Sequence, residues 1–405
     1  MAQSPRTTRS IRTHNLALVQ QTLLRDGPLS RAAIARRTGL SRPSVSTLVE
    51  RLIDENLIVE YGAINDGSGR PAQPVDLNRS AMRLIGIEVG ATFIESVVTD
   101  LDGKQLKHDT YPVPVRTEPE MTIAFLNQLL TSLINDIRSD RGLVLGVGIG
   151  LASPISGPQS NTFAQSLYPA WAEYELGTAL TRSLDVPIMF ENDANLGAVG
   201  EFVWGTDKVK NLAYIKLDSG IGSGHLVNGL LMTGTEGLAG EIGHMFADPD
   251  AGECYCGGYG CLVKVLGLDA LKVRVAEFGW SDKTEDTYDA LALAAVKDDT
   301  KHRYQGLCKT LSTALAKSLA GIIAITNPQK IILGGQGAHL PHLAELTEAT
   351  LRKYLSDVTR PKLIIEVTPA ERPTVALGGC ALVRESTSQL SCFGVDASRK
   401  TDLAS

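Results

Sequence analysis

The sequence predicts an α/β protein: a winged helix-turn-helix at the N-terminus, followed by a body of two related halves. Three observations carry that expectation. A basic head of short helical segments precedes an acidic remainder. A strand–glycine–strand unit occurs twice, at 83–103 and at 211–229. A glycine-rich stretch at 241–261, "EIGHMFADPDAGECYCGGYGC", gathers one histidine and three cysteines.

A chain of 405 residues with 43% hydrophobic and 21% charged residues suits two or three globular domains. No uninterrupted apolar run approaches the roughly 18 residues that span a bilayer, so no membrane partner is expected. The opening "MAQSPRTTRSIRTHN" has no apolar signal core, which predicts a cytoplasmic protein. Six cysteines then belong in a reducing compartment, where structural disulfides are rare. The formal charge of -6 is unevenly spread. Residues 1–52 hold nine arginines against Asp26 and Glu50, a net of +7, which leaves -13 for the rest. A basic head on an acidic body points to a polyanion partner for the head alone.

In the head, Leu16, Val19, Leu23 and Leu24 recur at helical spacing. "GPLS" breaks that helix, and Ser30 is a natural cap for "RAAIARR". "TGL" is a tight turn. Ser41 caps a third helix, "RPSVSTLVERLIDEN", with Pro43 tolerated in its first turn. Val45, Leu48, Val49 and Leu52 form its apolar stripe, leaving Arg42, Ser44, Ser46, Thr47 and Arg51 on or near the other face. Helix, short turn, helix is the arrangement that places its second helix in a DNA major groove. The following "LIVEYG" and "QPVDLN" read as two strands of a wing whose loop carries Arg70, placed to reach the minor groove or a phosphate.

From residue 81 the pattern changes to alternating strands and helices. "VLGVGIGLASPISG" and "KIILGGQGAHL" add a glycine-ended strand to each half. Duplicated α/β halves facing a cleft suit a small-molecule site between lobes. The expected organisation is a reader at 1–80, a first lobe at 81–200, and a second lobe at 201–385 containing the loop 241–261. A polar tail at 386–405 is expected to be disordered.

The loop has the pattern His-x9-Cys-x-Cys-x4-Cys, from His244 to Cys254, Cys256 and Cys261. Three thiolates and an imidazole form a closed tetrahedral set for structural Zn2+. The Cys-x-x-Cys of a redox pair is absent. "FENDANLGAVGEF" follows an apolar strand, so Asn192 and Asp193 sit at a strand end that opens a helix, with Asp193 as the expected cap. An amide beside a carboxylate at a cleft mouth can grip vicinal hydroxyls, and Asp193 could also serve as a general base. Glu241 precedes His244 by three residues, one turn if the segment is helical. One imidazole nitrogen could then bind the metal while the other faces a ligand beside Glu241.

These motifs, in the order "GSGRPA", "ENDANLGAVGE", "GLAGEIGH", "CYCGGYGC" and "IILGGQGA", resemble the ROK family of repressors and sugar kinases. The likeness is to its repressor branch, which includes xylose and N-acetylglucosamine repressors, and it covers about residues 12–384. The resemblance implies an actin-like (ribonuclease H-like) two-lobed fold, a structural zinc, a sugar site between the lobes, and a homodimer or homotetramer. It places sugar contacts at Asn192, Asp193, Glu241 and His244, and metal ligands at His244, Cys254, Cys256 and Cys261. Asp193 matches the catalytic base of the kinases. Val263 stands where the kinases often have a sugar-binding glutamate. Where the kinases have "DIGGT" and "GTG", this chain has Glu88 in "EVGAT" and Asp218 in "DSG". Carboxylates there repel a nucleotide phosphate. The expectation is therefore a regulator that binds operator DNA and a small sugar or sugar phosphate, and not an enzyme. An ATP-dependent sugar kinase with an added reader is the alternative.

Overall fold

The computed structural model describes residues 8–62, 73–155, 163, 167–280, 286–355 and 363–387. Three helices, α1 (Thr8–Asp26), α2 (Arg31–Thr38) and α3 (Arg42–Asp54), surround a sheet of β1 (Leu29–Ser30), β2 (Ile58–Glu60) and β3 (Pro74–Leu77), ordered β1-β3-β2. Ser30 and Ser41 have extended backbones and accept hydrogen bonds from the N–H groups of Ala33 and Ser44. Each helix thus begins where a side-chain oxygen meets its unpaired first turn. The "GPLS" break is itself a strand: Leu29 and Ser30 pair antiparallel with Val75 and Pro74. The wing strands β2 and β3 pair as the sequence suggests. The wing tip, with Arg70, lies outside the described residues.

The body repeats one sheet topology. β4 (Met82–Val89), β5 (Phe93–Asp100), β6 (Gln105–Pro112), β7 (Leu143–Leu151) and β8 (Ile188–Asn192) form the first sheet, ordered β6-β5-β4-β7-β8. β9 (Leu212–Leu217), β10 (Ile221–Val227), β11 (Leu230–Leu231), β12 (Lys330–Gly334) and β13 (Ile364–Val367) form the second, ordered β11-β10-β9-β12-β13. In both, antiparallel strands on one side give way to parallel strands on the other. Successive side chains of a strand point to opposite faces. On β4, Ile85, Ile87 and Val89 join the core under α4 (Pro119–Ser139) and α5 (Leu176–Thr181). Leu84, Gly86 and Glu88 therefore share the other face. On β9, Ala213, Ile215 and Leu217 pack against the helices of the second lobe, while Leu212 and Tyr214 join a separate inner cluster. Lys216 has the same parity as Leu212 and Tyr214. It points inward.

The helices of the second lobe are α7 (Val263–Leu266), α8 (Leu268–Glu277), α9 (Thr287–Val296), α10 (Lys301–Thr326) and α11 (Leu343–Tyr354), after α6 (Asp193–Trp204) of the first. Among the described residues, α10 alone is long and apolar enough to cross a membrane. The sequence reading missed it because Lys309 and Lys317 interrupt its apolar residues. Its Leu307, Leu311, Leu315 and Leu319 are buried in the core of the second lobe. The last helix, α12 (Thr374–Thr387), falls in the stretch the sequence reading gave to the second lobe, yet packs on β4, β5 and β7 and against α6. Since α6 also packs on β9 and β10, the two helices form the layer between the sheets. α12 approaches so closely that a Cβ on Gly86 would collide with the Ala376 carbonyl, and one on Gly148 with Gly379.

The reader is joined to this body without a break in packing. One apolar cluster runs from Val19, Leu23, Val49 and Leu52 through Val75 and Leu77 to Leu84, Val97, Ala376 and Cys380. Arg79 adds a polar tie, donating to the carbonyls of Leu23 and Leu24 and to Asp76 and Asp102.

Candidate functional site between the lobes

Asn192 and Asp193 stand at the junction of β8 and α6. The helix cap that the sequence assigns to Asp193 belongs to Asn192. Its backbone is still extended (φ -62°, ψ 141°), and its Oδ1 accepts from Asn195 N–H at 3.1 Å. Its Nδ2 donates to the Ser153 carbonyl at 3.2 Å. Asp193 is already helical, accepts from Ala194 N–H at 2.8 Å, and turns Oδ2 toward the second lobe.

There it meets Lys216. The Lys216 ammonium is 2.6 Å from Asp193 Oδ2, 2.5 Å from Glu88 Oε1 and 4.0 Å from Asp218 Oδ2. All four side chains are buried. Desolvation opposes the charge on Lys216, but Asp193, Glu88 and Asp218 hold its pKa well above the ordinary amine value. Burial outweighs Lys216 at Glu88 and pushes that carboxyl up to about 8; burial raises Asp218 as well. Glu88 and Asp193 come from the first lobe, Lys216 and Asp218 from the second, so the cluster ties the lobes together. Glu88 and Asp218 are thus neither bare nor turned toward open solvent. The sequence reading passed over Lys216, although it is the one charged residue in "LAYIKL" and its alternation with Leu212 and Tyr214 marks it as inward.

A cavity of about 420 Å³ opens beside the cluster. Asn192, Asp193, Glu241 and His244 all line it, with Lys216, Tyr168, Tyr255 and Val263. Val263 contributes an apolar wall where a glutamate would offer two acceptors. Burial, with the Asp193 charge adding to it, pushes the Glu241 carboxyl up to about 7. The backbone before Glu241 is fixed from behind. The Gly240 carbonyl accepts from Ser223 N–H at 2.8 Å and from Ser223 Oγ at 3.0 Å, and that hydroxyl lies 2.7 Å from His225 Nε2. Burial depresses the His225 pKa to about 4. A second cavity of about 900 Å³ also has Lys216 and Asp218 in its wall, so both stand between the two spaces.

His244 ends a single 3-10 turn, Ile242–His244. The ligand atoms of His244, Cys254, Cys256 and Cys261 lie within 4.8 Å of one another. Cys254 Sγ is 3.7 Å from His244 Nδ1, and Cys256 Sγ is 3.7 Å from Cys261 Sγ. A tetrahedral site with arms of about 2.3 Å has edges of about 3.8 Å, so this cluster fits one metal ion. Gly257 and Gly260, at φ 84° and 69°, supply the left-handed turns that bring the sulfurs round. Nδ1 faces the sulfurs while the same ring lines the cavity.

On α3, Arg42, Ser44 and Thr47 are exposed and Ser46 is half-buried, while Val45, Leu48, Val49 and Leu52 anchor the helix. Arg51 pairs with Glu55 at 2.7 Å instead of standing free on that face.

A winged helix-turn-helix fused to an actin-like body, with a cavity between its lobes and a Cys3His cluster beside it, defines a class of DNA-binding regulator. The chain belongs to the ROK family, whose profile matches residues 84–386, and residues 21–59 match a winged helix-turn-helix DNA-binding module. It is 30% identical over 321 residues to the xylose repressor of Bacillus subtilis, covering 79% of this chain and 81% of that one. It is 28% identical over 331 residues to the DNA-binding transcriptional dual regulator NagC of Escherichia coli, covering 80% of each. A crystal structure of a ROK family transcriptional regulator, a homologue of the E. coli MLC protein, superposes with a TM-score of 0.73. That likeness, at 22% identity, covers 94% of this chain and 98% of the other.

Two predictions test this site. Lys216→Met removes the only cation from a buried set of carboxylates and is expected to cost about 3–5 kcal/mol in urea unfolding, with part recovered when Glu88→Gln is added. The unfolded state binds a proton on His225 near pH 6.5 and the folded state only near 4. Stability from that group is therefore complete above about 6.5 and lost as pH falls toward 4, by about 3 kcal/mol. His225→Gln should flatten the acid limb of the stability curve over that interval.

Proposed function

We propose that the chain is a sugar-responsive DNA-binding repressor of carbohydrate uptake or catabolism genes, acting as a homodimer or homotetramer. The observation that carries this reading is the pairing of an exposed reading helix with a cavity between lobes that holds Asn192, Asp193, Glu241 and His244 in its wall, in one continuously packed chain. The names of the xylose repressor and of NagC support both halves of it. Arg42, Ser44, Ser46 and Thr47 would contact an operator half-site in the major groove, and Arg70 would extend from the wing. Asn192 and Asp193 from one lobe and Glu241 and His244 from the other would hold the sugar's hydroxyls.

A ligand held by both lobes favours their closed arrangement. The reader packs on β4, β5 and α12, so closure would move α3 with the first lobe and change its spacing from the partner subunit's reading helix. Half-sites lie about 34 Å apart, one turn of DNA, which leaves little tolerance for such a change. The chain is read as a regulator and not a kinase. Asp193 and Glu88 share the Lys216 ammonium, and Glu88 and Asp218 stand in the motifs that, by the resemblance to the kinases, would face a nucleotide phosphate. His244, Cys254, Cys256 and Cys261 are assigned to one structural Zn2+, which would hold His244 in place for the sugar.

The reading is tested by measuring operator affinity against a panel of sugars. One sugar is expected to weaken DNA binding by about tenfold or more, the range of ordinary allosteric coupling, and Asn192→Ala should abolish the response while leaving sugar-free DNA binding intact. ATP-dependent phosphorylation of that sugar, lost in Asp193→Asn, would overturn the regulator-only assignment. For the metal, elemental analysis is expected to find one zinc per chain. Chelation should lower the melting temperature and weaken sugar binding together; well-folded protein with little zinc would refute the assignment.

A further inference from the structure

Two polar side chains of the second lobe lie in its apolar core. Ser223 and His225, both almost fully buried, sit two apart on β10 and so share a face. Their partners on β9, Ile215 and Ala213, belong to the core of that lobe. Polar groups in such a place are unfavourable unless bonded. The bonds run in one direction. The Ser223 hydroxyl donates to the Gly240 carbonyl at 3.0 Å. With its single proton committed there, it accepts from His225 Nε2 at 2.7 Å. The ring thus carries its proton on Nε2, while Nδ1 has no hydrogen-bond partner among the described residues. Everything the pair does is delivered to the Gly240 carbonyl, which also takes the Ser223 N–H at 2.8 Å and the Ile242 N–H at 2.7 Å.

We infer that the Ser223–His225 pair is a positioning device for Glu241, setting that side chain in the cavity wall relative to Asp193. The inference rests on the sugar-regulator reading above. The Gly240 carbonyl belongs to the peptide plane that carries the Glu241 nitrogen, so three donors on one oxygen fix the direction in which Glu241 leaves the backbone. The edge of β10 is open to receive this segment, because β11 pairs only with Leu226 and Val227. The fit along that edge is tight: a Cβ on Gly240 would collide with the Ser223 carbonyl, and one on Gly243 with the Ile221 carbonyl. Gly240 adopts φ 96°, a conformation other residues rarely take. A face of β10 meets the first turn of α6, where a Cβ on Gly224 would strike the Ala194 carbonyl, next to Asp193. One strand thus gauges the separation of two carboxyl groups in the cavity wall, Asp193 beyond its face and Glu241 along its edge. Neither Ser223 nor His225 lines that cavity, so both act through Glu241 and not on the ligand.

The test is calorimetric titration of the full-length protein with D-xylose, D-glucose and N-acetyl-D-glucosamine, repeated on variants with whichever sugar binds tightest. His225→Leu and Ser223→Ala are each expected to weaken that sugar by about tenfold, the scale of one misdirected polar contact, with sugar-free operator affinity unchanged. His225→Gln keeps an N–H for the Ser223 hydroxyl and is expected to stay within about threefold of the unaltered protein. Hydrogen exchange across residues 238–245, measured without sugar, should quicken about tenfold in the first two variants and not in the third. Rescue in His225→Gln separates positioning from a general loss of packing. Unaltered sugar affinity in both His225→Leu and Ser223→Ala overturns the inference, and so does a loss in His225→Gln as large as that in His225→Leu. Should His225→Leu not fold, Ser223→Ala decides. If no sugar binds the unaltered protein, the sugar reading falls and exchange decides the rest. Unchanged exchange in Ser223→Ala then overturns the positioning role as well, whereas faster exchange leaves it standing.

Discussion

The two lobes of this protein meet on a buried ammonium. Lys216 contributes no apolar packing that a methionine would not, and its desolvation is unfavourable by itself. What it does is fix relations. Glu88 at the inner edge of β4 and Asp193 at the first turn of α6 must both reach one nitrogen on β9, so three elements from two lobes share a single geometric constraint. Hydrophobic burial between the sheets tolerates sliding; a charge shared within 2.6 Å does not. Everything that lines the cavity is referred to this point. Asn192 caps α6 one residue before Asp193, and Asp218 lies just past the end of the strand that carries Lys216.

The same constraint explains how a small cavity can speak to a distant helix. The inner layer of α6 and α12 carries the sheets on either side, and α12 lies backbone to backbone against β4 and β7. The reader's apolar core continues into this layer, and Arg79 ties α1 to the turn after β5. The reader's cluster includes Leu84 on β4, the strand that also carries Glu88. In the proposed reading, a change in lobe angle would be carried to α3 through this packing.

Much of this was legible before any coordinates. Capping serines, the turn glycine and the amphipathic stripe of α3 are local signals, and local signals survive in sequence. The duplicated hairpins announced two sheets of one topology, and the cysteine spacing announced a Cys3His cluster that could hold a metal ion. What was missed depends on distance. β1 is two residues long and exists only because β3, far along the chain, pairs with it. The return of α12 to the first sheet rests on glycines at 86 and 148 whose purpose appears only when their neighbour is known. The cap moved from Asp193 to Asn192 because the helix begins one residue earlier than expected, with Asp193 already helical. Lys216 is the instructive case. Its parity was readable, but its significance required Glu88 and Asp193, which lie 128 and 23 residues away.

That lysine also bears on how a kinase scaffold comes to serve as a sensor. A general base must hold a proton it takes from the substrate, and so needs a carboxylate whose charge is poorly satisfied. A sensor needs the reverse: a carboxylate that stays ionised, stays put, and accepts a hydroxyl hydrogen bond without taking the proton. The Lys216 ammonium, 2.6 Å from Asp193 Oδ2, gives that carboxylate a fixed partner from the other lobe. In the proposed reading, sugar contacts without phosphoryl transfer would leave the free energy of sugar binding for moving the lobes.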